Sequence, residues 1–306
     1  MNFRQLLTFV GIVEEGSFNK AAQRLNATQS GLSMQIRNLE EHLGTELFER
    51  SSRGVRPTRA GQRFYDRALA ILRQIDDAEM ELRNLAGTEG GPLRVGLMPT
   101  FTRGLLAPVL EDFLRDHPNV QLTVVEAYSA LLTEMVSDGA ADFAIVPQAA
   151  PVRGLKSTFL GTDREILVCN PHRKQAHLAP VCLAELPPLK LVLPARGNAR
   201  RDAIEAFIGE TGLRVETILD MDAMIATLEF VAVSDYVTIL PATVCTRDLD
   251  GRMRKLHPII DPMMTVRYAI VEPAARSLPV MARTFLDLLR REYARSDRQW
   301  QKVLAG

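Results

Sequence analysis

Between Gly16 and Gly44 the chain reads "GSFNKAAQRLNATQSGLSMQIRNLEEHLG", a run that constrains the fold more than any other. Upstream, "FRQLLTFVGIVEEG" sets Phe3, Leu6, Leu7, Val10 and Val13 at helical spacing and stops at Gly16. Ser17 suits the N-cap of a helix from Phe18 to Leu25, where Ala21 and Ala22 allow another helix to pack close. Asn26-Ala27-Thr28 then turns the chain into a helix that starts at Thr28 or Gln29 and ends near Leu43-Gly44. At 100° per residue, Leu32, Ile36, Leu39 and Leu43 share one narrow sector, the buried stripe. Ser30, Ser33, Met34 and Arg37 lie opposite, with Gln29 at the exposed N-terminal end. Taken alone, such a face is a solvated helix surface. The short helix and tight turn before it favour a helix–turn–helix, which puts such a face into the DNA major groove.

Net charge supports a local rather than a global partner for DNA. The whole chain balances 37 basic against 37 acidic residues. From Ser17 to Arg67, however, nine basic residues face five acidic ones, and the excess follows residue 49. There "LFERSSRGVRPTRAG" places Arg50, Arg53, Arg56 and Arg59 around Gly54 and Pro57. An arginine loop beside a recognition helix reads as a wing, able to neutralise phosphates and to enter a minor groove. A solubilising loop is the weaker reading of four arginines spaced by three.

Thr58 suits the N-cap of one long helix that runs to about Ala86, roughly 42 Å at 1.5 Å per residue. Phe64, Ala68, Ile71, Ile75, Ala78, Leu82 and Leu85 step alternately by four and three, a dimerisation seam of coiled-coil type. Leu69, Leu72 and Met80 widen the apolar stripe, so part of this helix is also expected to pack on the first segment. "GTEGGP" then interrupts the chain as a hinge.

From residue 92 onward strands and helices alternate. Strands are expected at "LRVGL", "VQLTVVE", "DFAIVP", "EILVC", "KLVLP", "RVETIL", "VTILP" and "VRYAIVE". Helices are expected at "LLAPVLEDFLRDHP", "LLTEMVSDG", "RRDAIEAFIGETG", "MDAMIATLEFVAV" and from Leu278 to about Ala294. This pattern implies an α/β domain in two halves, with mostly parallel sheets and ligand crevices beyond the strand carboxyl ends. Cys169, Cys182 and Cys245 have neither metal-type spacing nor an even count. No apolar run reaches the ~18 residues of a membrane span, so a reducing cytoplasm fits best. Nucleophile-elbow, phosphate-loop, dinucleotide and zinc-protease motifs are missing, and the five histidines are scattered, so neither an enzyme, a metal nor a cofactor is expected. A solute-binding protein of transport is a second rival, and the DNA-binding head argues against it.

The stretch "FVGIVEEGSFNKAAQRLNATQSGLSMQIRNLEEHLGTELFER" (Phe9 to Arg50) resembles the LysR-type transcriptional regulators, and "RVGLMPTFTRGLLAPVL" and "VTILPATV" resemble that family's effector domain more loosely. The resemblance spans the whole chain. It implies a winged helix–turn–helix at 1–58, a dimerising linker helix at 59–87, a hinge at 88–91 and a periplasmic-binding-protein-like domain at 92–306. Lobe one would comprise 92–161 and 269–306, and lobe two 162–268. The implied assembly is a dimer of dimers that binds promoter DNA and engages RNA polymerase when activating. Gln29, Ser30 and Ser33 correspond to contacting positions of the recognition helix, and Arg53 to the minor-groove residue of the wing; Met34, Arg37 and Arg56 complete the expected DNA face. Met34 departs from relatives that carry a polar residue there, leaving contact with a thymine methyl.

The family's effector cleft maps onto Thr100, Phe101, Thr102, Ser129, Arg196, Gly197 and Asn198. Helix N-termini, hydroxyls and a possible Arg196 clamp suit a small organic anion. Ser234-Asp235-Tyr236 stand where relatives have glycines, so a left-handed helix end is expected to fall on Ser or Asp.

Overall fold

The computed structural model describes the chain except residues 52–53, 86–91 and 306, and it leaves out the side chains at 50, 51, 54, 73, 76, 77, 79–81, 83–85 and 305. Two compact units emerge. One comprises Met1–Thr88 with Pro151–Lys156 and Glu272–Val280, and the other Glu89–Ala150, Ser157–Val271 and Met281–Gly306.

In the first unit, helices α1 (Phe3–Glu15), α2 (Phe18–Arg24) and α3 (Gln29–Leu43) precede strands β1 (Phe48–Ser51) and β2 (Gly54–Pro57) and helix α4 (Arg59–Leu85). Local chemistry sets each boundary. Asn2 and Gln5 form a reciprocal capping box on α1, Ser17 caps α2 through Lys20 N, and Thr28 caps α3 through Gly31 N. Gly16 and Gly44 end α1 and α3 in the left-handed region, which glycine enters without a Cβ clash. Asn26 takes the same conformation, at φ 50°, to make the tight turn before α3. β1 and β2 pair antiparallel, Phe48 with Pro57 through Ser51 with Gly54, and so build the wing as a hairpin. Thr58 caps α4 by accepting from Gly61 N at 2.9 Å.

The core of this unit joins Leu6, Phe9 and Val13 to Ala21, Leu32, Ile36, Leu39 and Phe48. Part of the expected seam on α4 packs against it. Ala68 is fully buried in this core, Phe64 packs edge-on to Phe9 at 5.0 Å between ring centroids, and Ile71 packs against the same cluster. Ala68 is therefore covered from within the chain, and Phe64 and Ile71 are covered in part. Ile75 is half-buried, Ala78 exposed and Leu82 68% exposed; the Leu85 side chain and the hinge at 88–91 lie outside the described residues. The segment 151–156 closes on α1: Arg153 donates to the Val13 carbonyl, and Tyr65 donates to Glu14 Oε1 at 3.3 Å.

The second unit begins with β3 (Pro92–Leu97), α5 (Pro99–Gly104), α6 (Leu106–Asp116), β4 (Gln121–Glu126), α7 (Ser129–Ser137), β5 (Phe143–Pro147) and β6 (Leu155–Cys169). There follow β7 (Val181–Cys182), β8 (Leu189–Leu193), α8 (Ala199–Thr211), β9 (Val215–Asp220), α9 (Met224–Val233), β10 (Thr238–Pro241), α10 (Ala242–Cys245), β11 (Lys255–Ile260), β12 (Thr265–Pro273) and α11 (Val280–Ala305). One sheet runs β4-β3-β5-β12-β6-β11-β7 with β10 also on β6, and β8 and β9 form a separate pair.

The expected parallel character holds for β3 with β4 and β5, β8 with β9, and β11 with β7. It fails for β12 on β5 and for β10 and β11 on β6, which are antiparallel, so the sheet is mixed. β6 is also ten residues longer at its start than the apolar run "EILVC", because half of its outer stretch is exposed and lacks an apolar signature. α5, α10 and β11 had no clear periodic signal, and α11 continues to Ala305 on Leu289, Tyr293 and Trp300, all buried. The expected left-handed end of α9 is not formed. Ser234 leaves the helix with φ −124° and ψ 176°, extended backbone, and its hydroxyl accepts from Tyr236 N at 3.3 Å. Asp235 instead takes a hydrogen bond from Lys190 Nζ at 2.6 Å.

Candidate functional site

On α3, burial follows the expected stripe except at its C-terminal end, where Leu43 is 36% exposed in the last turn. Leu32, Ile36 and Leu39 are buried, while Gln29, Ser30, Met34 and Arg37 are exposed and Ser33 is half-buried. Gln29 Nε2 donates to Ser33 Oγ at 3.0 Å, which pre-orders two polar groups on the outer face. Met34 is 63% exposed, a large apolar group that nothing in the chain covers. Arg56 is exposed on β2; Arg53 lies outside the described residues. Phosphates and base edges are the chemistry such a face suits: donors, a cation, and one apolar contact on a rigid rod.

In the second unit a cavity of about 530 Å³ opens among the loops after β3, β4 and β9. Pro99, Glu126, Ala127, Tyr128, Ala130, Leu131, Asp222, Ala223, Met224 and Ile225 line it. The loops expected from the sequence are beside it, but their side chains are spent otherwise. Thr100 is buried, and Phe101 sits in the core against Tyr268 at 4.9 Å. Thr102 donates to Pro99 O at 3.2 Å and to Glu126. Ser129 is the first residue of α7, next to the lining Tyr128 and Ala130. Arg196 and Gly197 are exposed in the loop before α8, and Asn198 caps that helix by accepting from Arg200 N at 3.0 Å. Arg196 is not among the residues that line this cavity.

The arginine that the loop does bury is Arg200. Its NH1 and NH2 donate to the two oxygens of Glu165 at 2.7 and 2.6 Å, and NH2 also reaches Ile239 O at 2.8 Å. Glu165 is 1% exposed, so this bidentate pair lies in a dry environment where it is strong and costly to break. Next to it, Asp163 accepts from Arg164 N at 2.9 Å and Thr243 N at 3.1 Å. Burial first, with Glu165 adding, pushes the Asp163 carboxyl up to about 7. Sequence reading missed Arg200, Glu165, Asp163, Glu126 and Asp222. The only available signal was a charge inside an apolar strand, as in "DREILVC".

Comparison with known proteins is consistent with both regions. A family model described as the bacterial regulatory helix-turn-helix protein, lysR family, matches residues 3–62, and one described as the LysR substrate binding domain matches residues 86–294. The chain belongs to the LysR family. LysR-type proteins are DNA-binding transcriptional regulators with an effector-binding domain, and this chain has both parts. It is 29% identical to the nitrogen assimilation regulatory protein nac of Escherichia coli, covering 99% of this chain and all of that one. To the regulator BenM of Acinetobacter baylyi it is 29% identical over 86% of each chain. Among solved structures, full-length BenM aligns with a TM-score of 0.57 at 24% identity, over 97% of this chain and 98% of that one. An OxyR variant of Corynebacterium glutamicum, bound to hydrogen peroxide, aligns at 0.58 and 25% identity over 99% and 96%. No described helix is long and apolar enough to cross a membrane.

Proposed function

We propose that this LysR-type regulator binds its promoter through the outer face of α3 and the β1–β2 wing, and that a small organic anion in the 530 Å³ cleft sets its activity. Exposure of Gln29, Ser30, Met34 and Arg37, on a helix braced by Leu32, Ile36 and Leu39, is the observation that carries the reading. Arg53 and Arg56 supply the wing contacts. Ile75, Ala78, Leu82 and Leu85 supply the part of the linker helix that pairs two subunits, and dimers associate into a cytoplasmic homotetramer. CbnR, solved as a full-length protein in complex with its target DNA, shares the fold, with a TM-score of 0.54 at 23% identity.

An anionic group on the effector is received by the free N–H groups that open α7 and α9, whose N-caps Tyr128 and Ala223 make no side-chain cap bond. Effector binding changes how the lobes pair and hence how the paired heads hold DNA. A differential affinity of about 1–3 kcal/mol between the two arrangements suffices for control. The regulator represses its own gene and, with effector, activates a neighbouring promoter through RNA polymerase.

Fluorescence anisotropy on the duplex upstream of the protein's own gene, against a scrambled duplex and across a salt series, tests this. Specific binding that weakens steeply with salt is expected. No binding to either duplex at low salt would remove the reading.

A further inference from the structure

We infer that the effector is a zwitterion of amino-acid type, with an ammonium group held by Glu126 and Asp222 and an apolar side chain over Leu131, Met224 and Ile225. This rests on the cleft reading above and adds the second charge. Glu126 ends β4 and Asp222 follows β9, so the two carboxylates enter the same cavity from different loops. No lysine, arginine or histidine is among the lining residues.

Arg196 is exposed in the loop before α8 and does not line the cavity, and the other arginines of the surrounding elements are paired. Arg200 is paired to Glu165, Arg201 to Glu205 and Asp220 at 2.7 Å each, and Arg103 to Asp248 at 2.8 Å. Glu126 accepts from Thr102, and Asp222 accepts from Ala195 N at 3.0 Å; both bonds fix the carboxylates without neutralising them. The Tyr128 hydroxyl registers both charges: burial raises it first, Asp222 and Glu126 raise it further, and the more distant Arg200, paired to Glu165, opposes them in part.

A ligand with only negative charge would meet two carboxylates and no cation among the residues that line this cavity. An ammonium group meets both carboxylates beside Tyr128. A carboxylate on the same ligand faces the uncapped first turns of α7, nine residues long, and α9, ten residues long, whose Ala130, Leu131, Met224 and Ile225 line the cavity. The cavity holds an amino acid with a medium apolar side chain.

Three matched sets of probes separate the charges on full-length protein: leucine and phenylalanine, their des-amino acids isocaproate and hydrocinnamate, and the amines isoamylamine and phenethylamine. Binding is read by thermal shift and by anisotropy on the upstream duplex. Amino acids are expected to bind at least about tenfold tighter than the des-amino acids, the worth of one charge-assisted contact. Glu126→Gln and Asp222→Asn should each weaken the amino acids by about tenfold while leaving the des-amino acids unchanged or tighter. Des-amino acids binding as well as amino acids, or amino-acid binding indifferent to both substitutions, would overturn the inference. If des-amino acids bind and Ala130→Trp abolishes that binding, the cleft stands and the zwitterion falls. Silence from every probe takes down both.

Discussion

The outer face of α3 and the floor of the effector unit use the same polar groups in opposite ways. On α3, Gln29, Ser30 and Arg37 stand in solvent over an apolar stripe and contribute little to holding the head together. In the effector unit, Arg200 and Glu165 are buried against each other, and Arg254, also buried, bonds Asp248 at 2.8 Å and Leu228 O at 2.7 Å. Polar side chains on the head are therefore free to be matched to DNA, whereas those of the effector unit are fixed by folding. Specificity for DNA changes by single substitutions there; the internal network of the sensor does not.

The largest effect should come from breaking that contrast at its strongest point. Arg200→Met leaves Glu165 buried without its partner and should cost about 3–5 kcal/mol of unfolding free energy, whereas Arg37→Met should cost less than about 0.5. Urea titration of the two variants decides the matter. Equal midpoints would mean that the buried pair is no stronger than a surface charge.

Next in size is the pH response of Asp163. Its carboxyl titrates near 3.8 when unfolded and at about 7 when folded, so the native state holds the proton more tightly. Stability is then fully present below the unfolded value and falls as pH rises toward about 7. Each pKa unit is worth ~1.4 kcal/mol, so the fall is on the order of 4 kcal/mol at most. Asp163→Asn preserves an acceptor for Thr243 N and should flatten the profile. A profile for the variant that keeps the wild-type slope assigns the effect to another group.

What could be read in the sequence follows the same division. The helices, caps and glycine stops of the head are local, so Ser17, Thr28, Gly16 and Gly44 announce them directly. The outer face of α3 follows from a period of 3.6 residues. The cleft is different, because Glu126 and Asp222 are 96 positions apart and meet only through sheet topology. Thr100 and Arg196 had the right residue types in the right loops, but the burial of one and the exposure of the other depend on packing that no spacing reveals. The seam on α4 is ambiguous for a related reason: Phe64 and Ala68 satisfy a heptad and a globular core equally well.

A smaller effect tests that last ambiguity. Leu82 is exposed in the isolated chain, beyond the positions the head consumes. If it is covered by a second copy, Leu82→Ala should weaken the dimer by about 1.5–3 kcal/mol per buried leucine and leave the head's thermal midpoint in place. Sedimentation across a dilution series reads the first, and calorimetry the second. A dimer that dissociates at the wild-type concentration would place the interface elsewhere.

The smallest change is the most specific. Met34 presents a thioether where a cation would reach a guanine or a phosphate, and its neighbours Ser30 and Arg37 leave the position open to a longer side chain. Met34→Arg should tighten binding by roughly 1 kcal/mol and, if the new contact is to a phosphate, steepen the salt dependence by about 0.9 in the logarithmic slope. A contact to a base edge would instead leave the slope alone and move one position of the preferred site toward guanine. Selection from a randomised duplex pool, repeated at two salt concentrations, separates these outcomes. An unchanged base profile with an unchanged slope would mean that Met34 faces solvent in the complex, and that the reading face of α3 is centred nearer Gln29 and Ser33.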